Sequence, residues 1–306
     1  MKKTCEQCNQ QFEVEKKEIE MLQLLSPTIA GIKFDLPEPT FCPVCRIQNR
    51  LAFRNEHSLY KRKSDLSGKA MLSIFAPDST YKAIDQDEWW SDEWEPLQYG
   101  RDFDFSKTVF EQLGELNLAI PHMALSTKNV ENSQFTNFAL NMKNCYLVFG
   151  ASDDQDCLYC RILLGCKDAI DCFTVYDSEI AYEGISSKNC YSCMYFKNCR
   201  NCSESLFIEE CDNCKNCLLC FGLRNKEYYY MNEYVGKEKF EKLKTSLQPL
   251  THEKIAELHQ KLLNLKKDLP HIASHIYACE DCSGDMIFNS KNCQWAFDVS
   301  DCENCY

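Results

Sequence analysis

The chain has 306 residues, of which 44% are hydrophobic and 26% are charged, so we expect a packed core and two or three domains. The formal net charge of -12 disfavours nucleic acid as a partner, because an acidic chain gains little from phosphate groups. No apolar run could span a bilayer and none follows the basic N-terminal residues, so we expect neither a membrane span nor a secretory signal. A cytoplasmic location follows, where 22 cysteines are better interpreted as metal ligands or buried thiols than as disulfides.

Two CxxC pairs, separated by 33 residues, mark the N-terminal segment. Each CxxC turn directs two sulfurs at one point, and two such turns complete the tetrahedral S₄ shell that suits Zn²⁺. Four thiolates leave no open coordination position, so we predict one structural zinc per chain and assign no catalytic residue. The alternative is four reduced surface cysteines. The predicted zinc ligands are Cys5, Cys8, Cys42 and Cys45.

A basic stretch follows the second CxxC pair. Arg46, Arg50 and Arg54 recur every four residues in a helix predicted at 46–56, and residues 61–63 are all basic. A second knuckle that opens a helix is typical of a treble-clef module, and residues 18–25 are predicted to form a short helix before it. Two hypotheses stay open: nucleic-acid binding through residues 46–63, or pairing of the arginines with the acidic segment that follows, which the charge balance favours.

Aromatic and acidic residues dominate the next segment. Aromatic faces with polar rims suit a sugar or a peptide, and paired carboxylates within residues 85–104 would suit a carbohydrate- or acyl-directed enzyme. The alternative is that the tryptophans cap the first coil of the domain that follows while the acids face water or the arginines. The candidate ligand surface consists of Trp89, Trp90, Trp94 and Tyr99.

Cysteines recur at intervals of 21 residues through the central segment, as at Cys172, Cys193 and Cys214. Short runs of β-branched and aromatic residues alternate there with Asn, Asp, Ser and Gly, which predicts strands joined by turns. We therefore predict a mainly β protein whose centre is a right-handed parallel β-helix of about 21 residues per coil, with three short strands in each coil.

Two quartets of these cysteines have the spacing of metal ligands, and either could hold Zn²⁺ or an iron–sulfur cluster. The alternative is that the spacing follows from the repeat, because buried cysteine behaves as a small hydrophobe that needs no metal. The second candidate metal site is Cys190, Cys193, Cys211 and Cys214. The third candidate metal site is Cys199, Cys202, Cys217 and Cys220.

A segment without cysteine interrupts the repeat. We predict a strand at 227–232, a helix at 235–247 and a second helix capped by Thr251. The second helix has an apolar face, which we expect to clamp the flank of the β-helix. That face consists of Ile255, Leu258, Leu262 and Leu265.

The predicted domains follow from these patterns. They are a zinc-ribbon or treble-clef-like module at 1–63, an aromatic and acidic capping segment at 64–120, β-solenoid coils at 121–224, a strand plus helical insertion at 225–271 and a resumed solenoid at 272–306. The last segment stops within a predicted coil and no polar cap follows, so we expect a fragment or a partner that covers this end.

Five short segments are distinctive as a set: CPVCR at 42–46, RLAFRNE at 50–56, LYKR at 59–62, WWSDEW at 89–94 and KNCYL at 143–147. Together they resemble a family of uncharacterised cysteine-rich zinc-ribbon proteins from uncultured bacteria. The resemblance implies a zinc site at the two CxxC pairs. Some members carry a carnitine-type CoA-transferase label, for which this sequence has no CoA-binding glycine pattern and no nucleophilic aspartate context.

The sequence has no phosphate-binding loop, dinucleotide fingerprint, HExxH motif or nucleophile elbow. The leading hypothesis is therefore a zinc-containing binding or assembly protein that recognises a protein or glycan without catalysis. Three alternatives stay open: a carbohydrate- or acyl-directed enzyme on a β-helix, a nucleic-acid binder, and a redox or metal-storage protein that uses the repeat cysteines.

Overall fold

The computed structural model describes residues 1–26, 28–29, 32–33, 35–51, 55 and 57–305. The chain is mainly β and divides into two units, Met1–Arg54 with Pro270–Tyr306, and Asn55–Leu269. Among the described residues, no helix has both the length and the apolar character needed to cross a membrane.

The N-terminal region contains two short hairpins and two helices. Its elements are β1 (Lys2–Thr4), β2 (Gln11–Glu13), α1 (Lys16–Leu25), β3 (Thr28–Ile29), β4 (Ile32–Lys33) and α2 (Pro43–Leu51). The helix predicted at 18–25 is present as α1. Pro43 opens α2, where the missing proline N–H leaves no backbone hydrogen bond unmade.

The helix predicted at 46–56 is present over residues 46–51 as part of α2, which begins three residues earlier at Pro43. Residues 52–54 and 56 lie outside the described residues. Residues 60–63 form a strand, so the basic residues of 46–63 do not lie on one helix. Arg54 and the side chain of Arg50 lie outside the described residues.

The second unit begins with short elements around the aromatic and acidic segment. They are β5 (Tyr60–Lys63), β6 (Ala70–Ser73), β7 (Lys82–Ile84), α3 (Gln86–Trp89), a 3₁₀ helix (Pro96–Tyr99), α4 (Val109–Ala119) and β8 (Pro121–Met123). β5 and β6 form a hairpin, and β7 pairs in parallel with β8. A capping box between Thr108 and Glu111 fixes the start of α4, because each side chain bonds the other's backbone N–H.

A twelve-stranded sheet forms the centre of this unit. Its strands are β9 (Thr127–Glu131), β10 (Asn137–Lys143), β11 (Phe149–Ser152), β12 (Arg161–Leu164), β13 (Lys167–Ile170), β14 (Phe173–Tyr176), β15 (Glu179–Lys188), β16 (Tyr191–Lys197), β17 (Leu206–Glu209), β18 (Lys215–Phe221), β19 (Glu227–Tyr230) and β20 (Glu233–Tyr234). The strands from β9 to β19 pair in parallel, and only β20 runs antiparallel to its neighbour.

Residues paired between the parallel strands of this sheet are 12 positions apart along the chain. Phe149 pairs with Arg161, Arg161 with Phe173, and Phe173 with Ile185. The predicted period of about 21 residues per coil is therefore wrong. We call residues that follow one another at this 12-residue offset a stack, because the register places them on neighbouring strands.

Every third residue from Asn129 to Met231 has a positive φ, between 46° and 68°. Asn and Asp recur at these positions since they tolerate left-handed backbone better than other non-glycine residues. From Phe135 to Leu219, the residue after each of them is buried, as with Cys145 after Asn144 and Cys190 after Asn189. The recurrent Asn-Cys dipeptide is thus a bend followed by an inward side chain, and 21 recurs because it is a multiple of three.

One continuous core lies on this inward side. It contains small and medium side chains that alternate with larger ones, including Leu163, Val175, Phe196 and Ile208. Gly184 is required beside Phe196, since a Cβ there would lie 2.4 Å from the ring. Cysteine suits the remaining inward positions as a small hydrophobe.

Two helices, α5 (Lys237–Ser246) and α6 (His252–Lys266), cover the outer side of β16 to β18. The threonine oxygen of Thr251 accepts a bond from Lys254 N at 3.4 Å, which confirms the predicted cap of α6. A second core forms there around Phe207, Leu219 and Phe240, and the four residues predicted as the apolar face of α6 all join it.

The C-terminal residues form a separate parallel sheet of β21 (Ile276–Tyr277), β22 (Gly284–Phe288) and β23 (Ala296–Ser300). Ile276 pairs with Ile287, an offset of 11, whereas Ile287 pairs with Val299 at the offset of 12 found in the larger sheet. Gly284 is required where β22 pairs with Ala296 of β23: its φ is 133°, and a Cβ would lie 1.8 Å from the carbonyl oxygen of Ala296.

Candidate metal centre

Two chain turns hold the four N-terminal cysteines. Cys5 directly follows β1 and Cys8 lies in the turn before β2, where Asn9 N donates to Cys5 O at 2.9 Å. Cys42 directly precedes α2, and Cys45 lies in its first turn. The N–H of Glu6 donates to the carbonyl of Thr40 at 3.1 Å and so ties the two turns together.

The four sulfurs converge on one point. All lie within 4.8 Å of one another, and Cys8 Sγ is 3.8 Å from Cys42 Sγ. Cys5, Cys42 and Cys45 are buried, while Cys8 is exposed. Within the described residues, this is the one group of three or more Cys, His or carboxylate ligands that converges in this way. The donor set fits a soft or borderline cation with tetrahedral coordination.

Electrostatics at the site favour a bound cation. Burial opposes ionisation of Cys5, but the backbone N–H groups of Cys42, Cys8 and Gln7 outweigh it and lower the pKa of Cys5 to about 6. The N–H of Cys42 lies 3.2 Å from Cys5 Sγ. Burial, followed by the neighbouring thiols, raises the pKa of Cys45 to about 12. One thiolate is therefore stabilised by the fold, and four need a cation between them.

Side chains around the centre hold α1 and α2 in place. The guanidinium of Arg46 lies 3.5 Å from the buried carboxylate of Glu18 on α1. Burial raises the pKa of Glu18 despite the opposing charge of Arg46. On the exposed side, Asn49 Nδ2 donates to Gln7 Oε1 at 2.9 Å and so joins α2 to the first turn.

The cysteines of the large sheet are arranged differently from the predicted quartets. The 12-residue register places Cys190, Cys202 and Cys214 in one stack and Cys199 and Cys211 in another. Cys193 and Cys217 share a stack with Ser205 between them, and Cys220 follows Ile208. Neither quartet predicted from CxxC spacing belongs to the converging groups found among the described residues.

The aromatic segment brings three of its four candidate residues together. The rings of Trp89 and Trp94 lie 4.7 Å apart, and those of Trp94 and Tyr99 lie 6.3 Å apart. Trp94 Nε1 donates to the carbonyl of Trp89 at 3.0 Å. Trp90 is 65% exposed, so it is the member of this set that presents most of its ring to solvent.

Carboxylates of the same segment act as caps. Asp85 accepts from Asp87 N at 3.0 Å, Glu95 from Leu97 N at 3.0 Å, and Asp104 from Ser106 N at 2.8 Å. Glu88 is buried and accepts from the hydroxyl of Ser64. These structural tasks give no support to a catalytic carboxylate pair.

Two polar features were not predicted from the sequence, a buried carboxyl group and a partly exposed histidine–aspartate pair. Asp154 occupies an inward position of the sheet, where it accepts from Cys166 N at 2.7 Å, and burial raises its pKa to about 7. His275 Nδ1 lies 3.0 Å from Asp285 Oδ1. Asp154 follows the bend at Asp153, so a period of three residues would have predicted it to be an inward residue. No local motif marks the His275–Asp285 pair.

No protein-family model matches the chain, and a search of curated proteins finds no significantly similar sequence. The resemblance to an uncharacterised zinc-ribbon family therefore stays a prediction.

Proposed function

We propose that the protein is a zinc-containing binding or assembly protein. Cys5, Cys8, Cys42 and Cys45 would hold one structural Zn²⁺, and the large sheet would offer an interaction surface to a protein or glycan partner. The observation that carries the proposal is the convergence of the four sulfurs within 4.8 Å. Four thiolates fill a tetrahedral shell and leave no position for a substrate or a reactive water.

The proposed surface is the wall of a four-sided parallel β-solenoid. The 12-residue register and a positive φ at every third residue support this architecture, because four bends then separate stacked residues. We propose the right-handed form, which parallel connections strongly favour. An experimental structure that showed three-sided or left-handed coils would contradict this part of the proposal.

Exposed aromatic side chains support a binding role for that wall. The ring of Tyr146 lies 5.7 Å from Phe135 on one side and 5.7 Å from Tyr159 on the other, in edge-to-face contact. Tyr146 and Tyr159 are both exposed. A continuous row of aromatic faces with hydroxyl groups suits a glycan or a polar peptide.

The basic residues give little support to nucleic-acid binding. Arg46 contacts Glu18, and Arg62 Nη2 lies 2.9 Å from Asp65 Oδ2 with its side chain only 9% exposed. Phosphate contacts need cationic groups that are free to reach the nucleic acid.

Metal analysis of the full-length protein, purified without added zinc or chelator, tests the zinc assignment. We expect one zinc per chain, and we expect Cys42→Ser to reduce it to background. The matched control is Cys193→Ser, another buried cysteine outside the centre. A wild-type protein without metal, or a Cys42→Ser protein that retained zinc, would contradict the proposal.

The binding surface is tested separately with a Tyr146→Ala, Tyr159→Ala variant on glycan and peptide arrays. We expect a ligand of the wild-type protein to be lost while zinc content stays the same. Binding that survived both substitutions would place the interaction elsewhere.

A further inference from the structure

The inward cysteines between Cys190 and Cys214 form a sulfur-rich interior that the zinc centre does not use. Five of them are no more than 2% exposed and lie in neighbouring stacks. These five residues are Cys190, Cys199, Cys202, Cys211 and Cys214.

The backbone fixes which sulfurs are neighbours. Tyr191 N donates to Cys202 O at 3.0 Å and Ser203 N donates to Cys214 O at 2.9 Å, so each cysteine lies one strand from the next. The thiol of Cys202 accordingly interacts with the side chains of Cys190 and Cys214 in its own stack, and also with that of Cys199 in the neighbouring stack. Cys199 and Cys211 form the second pair, since Arg200 N donates to Cys211 O at 3.0 Å.

This arrangement is linear rather than convergent. The described residues of the sheet contain no group of three sulfurs within 4.8 Å of one another. A tetrahedral zinc or iron–sulfur site, which needs three or four sulfurs around one centre, therefore has no ready-made shell there. A metal ion coordinated by two sulfurs on opposite sides needs only two cysteines that are neighbours in one stack.

The distance between neighbouring strands matches the sulfur-to-sulfur distance across a two-coordinate metal ion. Neighbouring strands lie about 4.8 Å apart. Two metal–sulfur bonds in line span about 4.6 Å, if each has the length of about 2.3 Å found for zinc and thiolate. Cu(I) and Ag(I) are soft d¹⁰ ions that accept two opposed thiolates, and thiolates select Cu(I) over harder metals.

We infer that the cysteine stacks of the large sheet bind soft monovalent cations, Cu(I) or Ag(I), in two-coordinate sites between successive strands. The stack of Cys190, Cys202 and Cys214 has room for two ions. Three pairs at the same offset have room for one ion each: Cys199 with Cys211, Cys145 with Cys157, and Cys160 with Cys172. The inference rests on the strand register and does not depend on the zinc centre.

Uptake exchanges protons for metal without any change in oxidation state. Two thiols and one Cu⁺ give one S–Cu–S unit of charge -1 and release two protons. In the three-cysteine stack the central sulfur of Cys202 bridges both ions, so three thiols and two Cu⁺ release three protons and again leave a single negative charge. Bridging thus halves the buried charge for each ion bound.

The thiols of Cys190 and Cys202 each donate to a backbone carbonyl, which favours their protonated form before uptake. Cys190 Sγ donates to Lys188 O at 3.5 Å and Cys202 Sγ donates to Arg200 O at 3.3 Å. Because protons must leave, uptake is expected to weaken as the pH falls.

The experiment titrates full-length protein with Cu(I) under anaerobic conditions against a chromogenic chelator, and zinc is measured in the same samples. We expect five Cu(I) to bind at these stacks while the zinc remains bound. Cys202→Ser should remove two of them, because it breaks both steps of its stack. Cys166→Ser is the matched control and should remove none, since Asp154 and Ser178 flank Cys166 in its stack.

A gain-of-function variant guards against misfolding of Cys202→Ser. Ser205 is fully buried between Cys193 and Cys217, so Ser205→Cys would create a new three-cysteine stack. We expect it to bind up to two additional Cu(I), and only one in the Ser205→Cys, Cys193→Ser double variant. X-ray absorption should show two sulfur neighbours per copper.

Three results would overturn the inference. The first is Cu(I) uptake that only replaces the zinc. The second is equal loss of copper in Cys202→Ser and Cys166→Ser when circular dichroism shows both to be folded. The third is a folded Ser205→Cys protein that binds no more copper than the wild type.

Discussion

The pairs Cys5–Cys8 and Cys190–Cys193 have the same CxxC spacing but opposite surroundings. In the first pair, Cys5 Sγ accepts the N–H of Cys42 at 3.2 Å, and the sulfurs of both knuckles face one point. In the second pair, Cys190 and Cys193 each donate to the carbonyl two residues earlier, at 3.5 Å. A sulfur that accepts backbone N–H groups is prepared as a thiolate, whereas one that donates is held as a thiol.

The comparison shows why spacing alone did not identify the ligands. Between β1 and β2 a tight turn makes the CxxC spacing bring two sulfurs together. In the large sheet the same spacing joins two consecutive inward positions on either side of a bend, such as that at Ser192. Backbone conformation between the cysteines, rather than their separation, decides whether they converge.

The largest predicted effect is on the first region. Cys42→Ser should abolish metal binding and unfold the N-terminal knuckles, because structural zinc contributes about 10–16 kcal/mol to small zinc modules. Hydrogen exchange should show protection lost in residues 1–51 and kept in the large sheet. Cys193→Ala, which removes one sulfur from the packed core, should cost only about 1 kcal/mol and leave the knuckles protected. Equal loss of protection in the two regions would contradict the prediction that only the N-terminal CxxC pairs depend on a bound metal.

Packing on the inward side gives the next prediction. Gly184→Ala should destabilise the sheet by about 1–3 kcal/mol, because its new Cβ would lie 2.4 Å from the Phe196 ring. Phe196→Ala alone should cost about 3–5 kcal/mol through the cavity that it leaves.

A double-mutant cycle from urea unfolding tests whether these two residues face each other. Gly184→Ala should cost little when Phe196 is already alanine. The coupling free energy between the two substitutions should therefore nearly equal the cost of Gly184→Ala alone. Additive effects would show that the 12-residue stack is misassigned at this point.

A third prediction concerns pH. Burial raises the pKa of Asp154 from 3.8 to about 7, so the folded protein holds this carboxyl protonated where the unfolded chain ionises it. The stabilisation is fully present below pH 4 and is lost as the pH rises to 7, with a total loss of up to about 4 kcal/mol.

Asp154→Asn tests whether ionisation of this carboxyl group lowers the stability of the fold as the pH rises. The amide keeps an acceptor for Cys166 N and cannot ionise, so we expect greater stability than the wild type at pH 8 and little difference at pH 4. Asp168→Asn, at an exposed bend position, is the matched control and should change stability equally at both values. A larger gain at pH 4 than at pH 8 would contradict the assignment.

The sequence supported some of these features better than others. The four N-terminal cysteines, α1, and the cap and apolar face of α6 follow from local patterns and are present in the structure. The coil length could not be predicted from local patterns, because a bend at every third residue makes every multiple of three recur as a spacing between similar residues. The stacks did not follow either, since they depend on the 12-residue offset between strands, which only hydrogen bonding sets.

The smallest predicted effect concerns the bends themselves. Asn189 has a φ of 54°, and its Nδ2 donates to Asn201 Oδ1 at 3.1 Å on the outer surface. Asn189→Ala removes this bond and places a residue that disfavours left-handed backbone at the bend, so we expect a loss of about 1–2 kcal/mol. Asn189→Gly loses the same bond but adopts positive φ freely, and it should cost less than the alanine variant. Urea midpoints of the two variants separate backbone strain from the side-chain bond. If glycine proved as costly as alanine, the Asn-Cys dipeptide would be explained by the hydrogen bond and not by the bend.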